Sequence, residues 1–371
     1  MTTQRNVIPV NDLRRGWLAT DAEVREAAER VLRSGWYIKG PEHDAFETEL
    51  AAYIGVRYVV GVASWTDALV LALLAVGCAA GSEVVTVANA GGYTSNAAAQ
   101  IGCGVVYADV DPGSLLMTVD TLARAVAPST RAVVLTHLFG NIADAEAIVA
   151  FCRDRDIAVV EDCAQAIGGA IDGRKAGTFG DVAALSFYPT KNLGGAGDGG
   201  ALVTDDEALA GRARALRQYG WTAKYTVTQP HGRNSRLDEL QAAVLRIGLR
   251  RVDGFNARRQ EIVRRYAAAI RGPGLRLVTG VGCPTVAHLA VVRAADRDRL
   301  RARLHEGAVG TDIHYPIPDH QQPGLPPPIR AADLRETESA AGEILTVPCF
   351  PDMTDEEINR VASLLGEASA E

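Results

Sequence analysis

Between Val159 and Asp206 the chain reads VVEDCAQAIGGAIDGRKAGTFGDVAALSFYPTKNLGGAGDGGALVTDD. Three short apolar runs, Ile157–Val160, Ala183–Phe187 and Ala201–Thr204, have the length and character of buried strands. Glu161 and Asp162 follow the first run directly, at the strand end where open α/β sheets place their ligands. Lys191 follows the second run, within Tyr188-Pro189-Thr190-Lys191-Asn192-Leu193, and Gly194, Gly195, Gly197, Gly199 and Gly200 come behind it. A lysine among glycines is open to close approach by a ligand, and an aspartate at the end of a neighbouring strand meets that ligand from its other side.

A lysine to form a Schiff base and a carboxylate for a ring nitrogen are what pyridoxal phosphate (PLP) requires. The segments E-D-x-A-Q, G-D-x-x-x-x-S-F, K-N-L and G-D-G-G-A occur here in one order and spacing. On these motifs the chain resembles the DegT/DnrJ/EryC1/StrS sugar aminotransferases over nearly its whole length. The resemblance implies an α/β, fold type I PLP enzyme. Its large domain would hold a mostly parallel sheet flanked by helices, and a smaller C-terminal α+β domain would follow. The expected division is 1–250 for the PLP-binding domain and 251–371 for the small domain with its long linking helix. It further implies Lys191 and Asp162 as catalytic, with Gln165 against the ring and Ser186 on the phosphate. An aspartate after a strand is commonly a cap and a loop lysine is commonly solvated, so the joint pattern carries the reading.

Along the chain, Asp21–Arg33 is an amphipathic helix. The segment Gly35-Trp36-Tyr37-Ile38-Lys39-Gly40 matches one that the family places at the mouth of the active site, which makes Tyr37 a substrate contact. Tyr58–Val62 is a strand, and Ala63-Ser64-Trp65-Thr66 opens a helix whose N–H groups suit a phosphate. The family has glycine where Trp65 stands; Trp65 and Thr66 are the phosphate contacts by resemblance. Glu83–Val87 is a strand. Many relatives carry a ring-stacking aromatic at the position of Gly91, so either Tyr93 supplies that contact or the stack is absent. His137, alone after the strand Ala132–Leu135, reads as structural.

Ser235 reads as a helix cap with Asp238 and Glu239 in the first turn. In the family this segment crosses a dimer interface, and Asn234 stands where an asparagine reaches the neighbouring subunit's PLP phosphate. Leu249–Ala269 is a basic helix whose charges suit a solvated face. Leu275–Val278, His288–Val292 and Ile313–Tyr315 look like strands, Asp296–Glu306 and Thr354–Gly366 like helices, and Pro316–Pro328 like an irregular loop. The family pattern H-Y-P-x-P-x-H fits His314–His320 and brings Tyr315 and His320 in as substrate contacts, with Tyr188 from the lysine loop.

Of the 371 residues 47% are hydrophobic and 22% charged, and the net charge is −7, which argues against nucleic acid or an anionic membrane as partner. No apolar run reaches the roughly 18 residues of a spanning helix. The first residues lack the apolar core of a signal peptide, so a cytoplasmic address is expected. The six cysteines show no metal-ligand spacing, and reduced, mostly buried thiols are expected with no metal.

The expected reaction is transamination of a TDP-linked keto-6-deoxyhexose with L-glutamate as donor. It would run by double displacement through pyridoxamine phosphate in a homodimer with shared sites. Tyr188 stands three residues before the lysine; family members that aminate C3 commonly resemble S-F-Y-P-x-K-N-L-G, as here, whereas C4 members commonly carry histidine. A 3-keto substrate is therefore expected, with the 4-keto sugar as the alternative. A sugar dehydratase of this fold would have histidine at position 191, and a non-catalytic regulatory homologue would have no use for Asp162 and Lys191.

Overall fold

Short runs rich in valine and alanine form the centre of a seven-stranded sheet in the computed structural model, which describes residues 7–330 and 333–370. In chain order the first half contains α1 (Leu13–Ser34), α2 (Pro41–Ile54), β1 (Tyr58–Val62), α3 (Trp65–Ala75), β2 (Glu83–Val87), α4 (Tyr93–Gln100), β3 (Gly104–Ala108), α5 (Val119–Ala125), β4 (Thr130–Thr136), α6 (Ala145–Arg153) and β5 (Ala158–Asp162). A small hairpin, β6 (Ala170–Ile171) and β7 (Arg174–Lys175), precedes β8 (Val182–Ser186), β9 (Gly200–Thr204) and α7 (Glu207–Leu216). The sheet order is β1-β9-β8-β5-β4-β2-β3. Strand β9 runs antiparallel to both neighbours, and the other pairings are parallel.

Alternate side chains divide this sheet between two buried faces. Val84, Val134, Val160, Ala184 and Leu202 pack under α3, which is buried from Ala68 to Ala75. Val85, Val133 and Val159 face α5 and α6, while Ala183, Leu185 and Val203 face α2. Strands covered on both sides carry apolar residues throughout, which is why they read as continuous runs. The C-terminal ends of β1, β2, β4, β5 and β8 all open on one edge, where Thr136, Asp162 and Ser186 stand.

The rest of the chain forms a hairpin, β10 (Trp221–Ala223) and β11 (Thr226–Val227), then α8 (Glu239–Leu249) and α9 (Val252–Ala269). An antiparallel sheet of β12 (Leu275–Leu277), β13 (Ala290–Ala294) and β14 (Ile344–Val347) follows, with α10 (Arg297–Glu306), α11 (Arg335–Glu343) and α12 (Asp355–Ser369). Ile262, Tyr266, Leu304 and Leu365 cover it, and Ile8 joins the same cluster while pairing with Val309.

Several elements differ from expectation. Helix α1 starts at Leu13, capped by Asp12, because Gly16 and Thr20 are accommodated inside it. Residues 313–315 are not a strand. Asp312 alone bridges to Thr346, and Pro316 and Pro318 lack the N–H a ladder needs; the third strand is Ile344–Val347. The cap of α8 is Asp238, which accepts from Gln241 N at 2.8 Å, whereas the Ser235 hydroxyl is used at the start of α3. Three of the four arginines of α9 are occupied within the chain: Arg258 and Arg265 pair with Glu261 and Asp355, and Arg259 is buried, while Arg264 is exposed. All six cysteines are free, and five are buried.

Candidate active site

Strand β5 ends on two carboxylates that point to opposite faces and have opposite environments. Glu161 accepts from the N–H groups of Phe179, Gly180 and Gly177 at 2.7–2.9 Å and lies 3.0 Å from His137 Nε2. Burial alone would raise its pKa, but the His137 contact and the backbone donors outweigh it and hold the carboxyl below its ordinary range. His137 Nδ1 accepts from Ala143 N at 3.2 Å, so Nε2 carries the proton toward Glu161. This pair is structural, as expected for His137. Cys163 lies beside it, but both Glu161 oxygens are already engaged.

Asp162 has fewer donors. Ala164 N approaches at 3.1 Å and Thr136 Oγ1 at 3.4 Å. Burial pushes its pKa up to about 6, against the Ala164 N–H and the charge of Lys191. Burial pushes the Lys191 ammonium down to about 8, and Asp162 partly offsets this. A buried carboxylate and a half-buried amine thus interact in one site, each short of hydrogen-bond partners among the described residues. Lys191 Nζ lies 5.8 Å from the centroid of the Trp65 ring.

Trp65 and Thr66 open α3, capped by Ser64. The helix start can approach β9 because residue 200 is glycine; a Cβ there would stand 2.6 Å from the Ser64 and Trp65 backbone. Gly200 also pairs with Ser186 across β8 and β9, so the Ser186 hydroxyl and the N–H groups of α3 share one corner. Gly91 has φ +82°, and a Cβ on it would stand 2.9 Å from the Tyr315 ring. Tyr315, from the other end of the sequence, therefore occupies the space that a side chain at position 91 would need. Tyr93 sits between, its ring centroid 4.8 Å from Trp65 and 6.0 Å from Tyr315. Gln165 fixes Tyr315, accepting from Phe139 N at 2.6 Å and donating to the phenol oxygen at 3.3 Å.

A cavity of about 360 Å³ joins Lys191, Gln165, Tyr93, Tyr188 and Tyr315. It also takes in His288 and His314, which sequence reasoning did not single out as site residues. The signal for His288 was a polar residue at the start of an apolar strand. A larger cleft, about 580 Å³, lies between α1, α8 and α9 and contains Lys191 but not Gln165; Asp162, Ser186, Trp65 and Thr66 line neither space. Tyr37, His320 and Asn234 do not line the Lys191 cavity. The Tyr37 hydroxyl turns back to the Leu32 carbonyl at 3.2 Å. His320 is drawn toward Glu338, at 2.9 Å, because Asp319 anchors its turn on Gly92 N and Ser95 Oγ, both at 2.7 Å. Asn234 is exposed, between Arg233 and Ser235, which both bind Asp67.

The residues present fit PLP. A half-buried amine of lowered pKa stands beside a buried carboxylate, and the Thr94 hydroxyl and Trp65 Nε1 nearby are buried without partners among the described residues. The model of the DegT/DnrJ/EryC1/StrS aminotransferase family matches residues 19–366. The erythromycin biosynthesis sensory transduction protein EryC1 of Saccharopolyspora erythraea is 41% identical over 96% of this chain and 98% of its own. The dTDP-3-amino-3,4,6-trideoxy-alpha-D-glucose transaminase of Streptomyces venezuelae is 41% identical over 97% of this chain and 96% of its own. The crystal structure of S. venezuelae DesV in complex with a ketimine intermediate superposes with a TM-score of 0.94 at 38% identity, covering 99% of this chain and 100% of that one. The chain belongs to the DegT/DnrJ/EryC1/StrS aminotransferase family and is a PLP-dependent aminotransferase.

Proposed function

We propose that the protein transfers an amino group from L-glutamate to a TDP-linked 3-keto-6-deoxyhexose, forming a 3-amino sugar in deoxyamino-sugar biosynthesis. The observation that carries the transamination is the half-buried Lys191 amine, its pKa lowered, interacting with the buried Asp162 carboxylate. The choice of C3 is supported by Tyr188 on the cavity wall and by the C3 amino group named for the S. venezuelae transaminase.

PLP, when bound, supplies a ring that accepts the electron pair left by a departing proton. Asp162 holds a proton on the ring nitrogen. Lys191 anchors the cofactor and then carries protons at its Nζ, a task suited to an amine that titrates near neutral pH. Ser186, Thr66 and the Trp65 N–H hold the phosphate. Gln165 and Tyr93 bound the ring, and Tyr188 and Tyr315 shape the space above it. Tyr37 and His320 contact the substrate, and Asn234 acts from the partner subunit of a cytoplasmic homodimer. Residues 1–250 form the cofactor-binding unit and 251–371 the small domain.

The test is a half-reaction screen. The purified PLP form is converted by glutamate, then offered TDP-3-keto- and TDP-4-keto-6-deoxyhexoses. The expected result is 2-oxoglutarate release followed by a 3-amino product, with parallel-line initial rates. Efficient formation of a 4-amino product, with the 3-keto isomer untouched, overturns the C3 assignment.

A further inference from the structure

A chain of hydrogen bonds behind Lys191 fixes the protonation of His288. Asn256, in α9, donates through its side-chain nitrogen to the Ile167 carbonyl at 2.9 Å. Its amide oxygen is thereby turned toward Asn192, whose nitrogen donates to it at 2.7 Å and to the Val286 carbonyl at 3.2 Å. The Asn192 oxygen then faces Nδ1 of His288 at 2.9 Å. Carbonyls only accept, so the two backbone carbonyls allow each amide one orientation. An amide oxygen opposite an imidazole nitrogen requires N–H there. His288 therefore carries its proton on Nδ1, and Nε2 bears a lone pair.

The ring is neutral. Burial holds its pKa well below the ordinary value, and the neighbouring Lys191, Arg259 and His314 add to the effect. Asn192, Asn256 and His288 are each at most 6% exposed, so the chain does not exchange partners with bulk water. The His288 carbonyl is also held, accepting from Arg259 at 3.1 Å. Yet Nε2 has no hydrogen-bond partner among the described residues, Lys191 included, and it is not sealed in the core. His288 lines the cavity with Lys191. The fold thus leaves an acceptor without a partner, among the described residues, on a side chain that lines the Lys191 cavity.

We infer that His288 determines sugar specificity: its Nε2 accepts a hydrogen bond from a hydroxyl of the keto-sugar bound beside Lys191. The inference rests on the nucleotide-sugar reading above. The occupant follows from donor chemistry. Glutamate's carboxylates only accept and its one donor group is the reacting α-amino nitrogen, whereas a sugar presents several hydroxyl donors away from its reacting carbon. The effect of His288 therefore falls on the sugar half-reaction and not on the glutamate half-reaction.

Two substitutions in the PLP-loaded full-length enzyme separate this role from a structural one. His288→Asn keeps a donor at the Nδ1 position, toward Asn192, and removes the acceptor. His288→Gln places an oxygen near the Nε2 position and loses the donor. For H288N the expected result is a near-normal melting midpoint and an unchanged glutamate half-reaction. Its kcat/KM for the TDP-keto-sugar falls roughly 10- to 100-fold. H288Q recovers most of that loss despite a lower melting midpoint. In parallel, the long-range ¹⁵N spectrum of histidine-labelled protein, assigned against H288N, reports which ring nitrogen is protonated. A proton on Nε2 overturns the inference. So does H288N with wild-type kcat/KM for the sugar, or with equal losses in both half-reactions. If the unaltered enzyme aminates no nucleotide keto-sugar, the nucleotide-sugar reading falls and this inference with it; if it does and H288N is unaffected, this inference alone falls.

Discussion

Two residues define the site by what burial does to their charges. In the folded, cofactor-free chain Lys191 titrates at about 8, below its ordinary 10.5. Below pH 8 both states hold the proton, and the folded state bears the cost of a partly desolvated ammonium. Between 8 and 10.5 only the unfolded state keeps it, so stability rises with pH across that window. Lys191→Met should stabilise the cofactor-free chain below pH 8, by up to about 3 kcal/mol, with the gain shrinking toward pH 10. Chemical denaturation at a series of pH values measures it, and a pH-independent difference contradicts the burial argument. Asp162→Asn should keep the fold and lose about 3 kcal/mol of transition-state stabilisation, roughly 100-fold in kcat, because a neutral amide does not hold the ring proton. Single-turnover rates near wild type would remove Asp162 from its role. Both residues were legible because strand ends and glycine-flanked loops leave a local signature. Tyr315 filling the space above Gly91, and the Asn256–Asn192–His288 chain, were not. Their partners lie 64 to 224 positions apart, and only the fold brings them together.

At the scale of elements, the strands that carry the site were readable because both faces of the sheet are covered. Tyr58–Val62, Glu83–Val87 and the three runs around Asp162 and Lys191 emerge close to where the sequence places them. Helix α4 was missed because its start, Gly92 at φ +81°, has no side-chain cap and its residues YTSNAAAQ show no apolar period. Its cap comes from Asp319, over two hundred positions away, which binds Gly92 N and Ser95 Oγ. Strand β14 was missed because α11 precedes it without a turn signal. One contact between elements is exacting. Gly200 lets the start of α3 meet β9, and a Cβ there would stand 2.6 Å from backbone atoms that have no rotamer to escape into. Gly200→Ala should cost about 1–3 kcal/mol and displace the phosphate corner. Thermal melting should show the loss, and equilibrium dialysis should show weaker PLP retention. A variant that melts normally and retains PLP would show that the corner yields without penalty.

At the scale of the whole molecule, one chain leaves parts of the expected site outside the Lys191 cavity. The surface near them is unusually aromatic. Trp36 and Tyr37 are 58% and 48% exposed, and Tyr219, just before the hairpin that follows α7, and Tyr225, in its turn, are 40% and 74% exposed. Exposed aromatic groups of this kind mark surfaces that meet another protein. Asn234 is held at this level by its neighbours, since Arg233 and Ser235 both bind Asp67 in the first turn of α3, next to Thr66. That arrangement leaves two routes for Asn234: the phosphate corner of its own chain, or that of a partner. Mixing Asn234→Ala with Lys191→Ala distinguishes them. If Asn234 serves the partner, each mixed dimer has one site with neither lesion, and random mixing restores about a quarter of wild-type activity. If it serves its own chain, every site in the mixture carries a lesion and nothing is restored. The cross-subunit reading predicts the first outcome, measured as turnover after co-refolding equal amounts of the two inactive proteins. Activity no higher than that of the separate variants, in a sample shown by tagged co-purification to contain mixed dimers, would place Asn234 in its own chain's site.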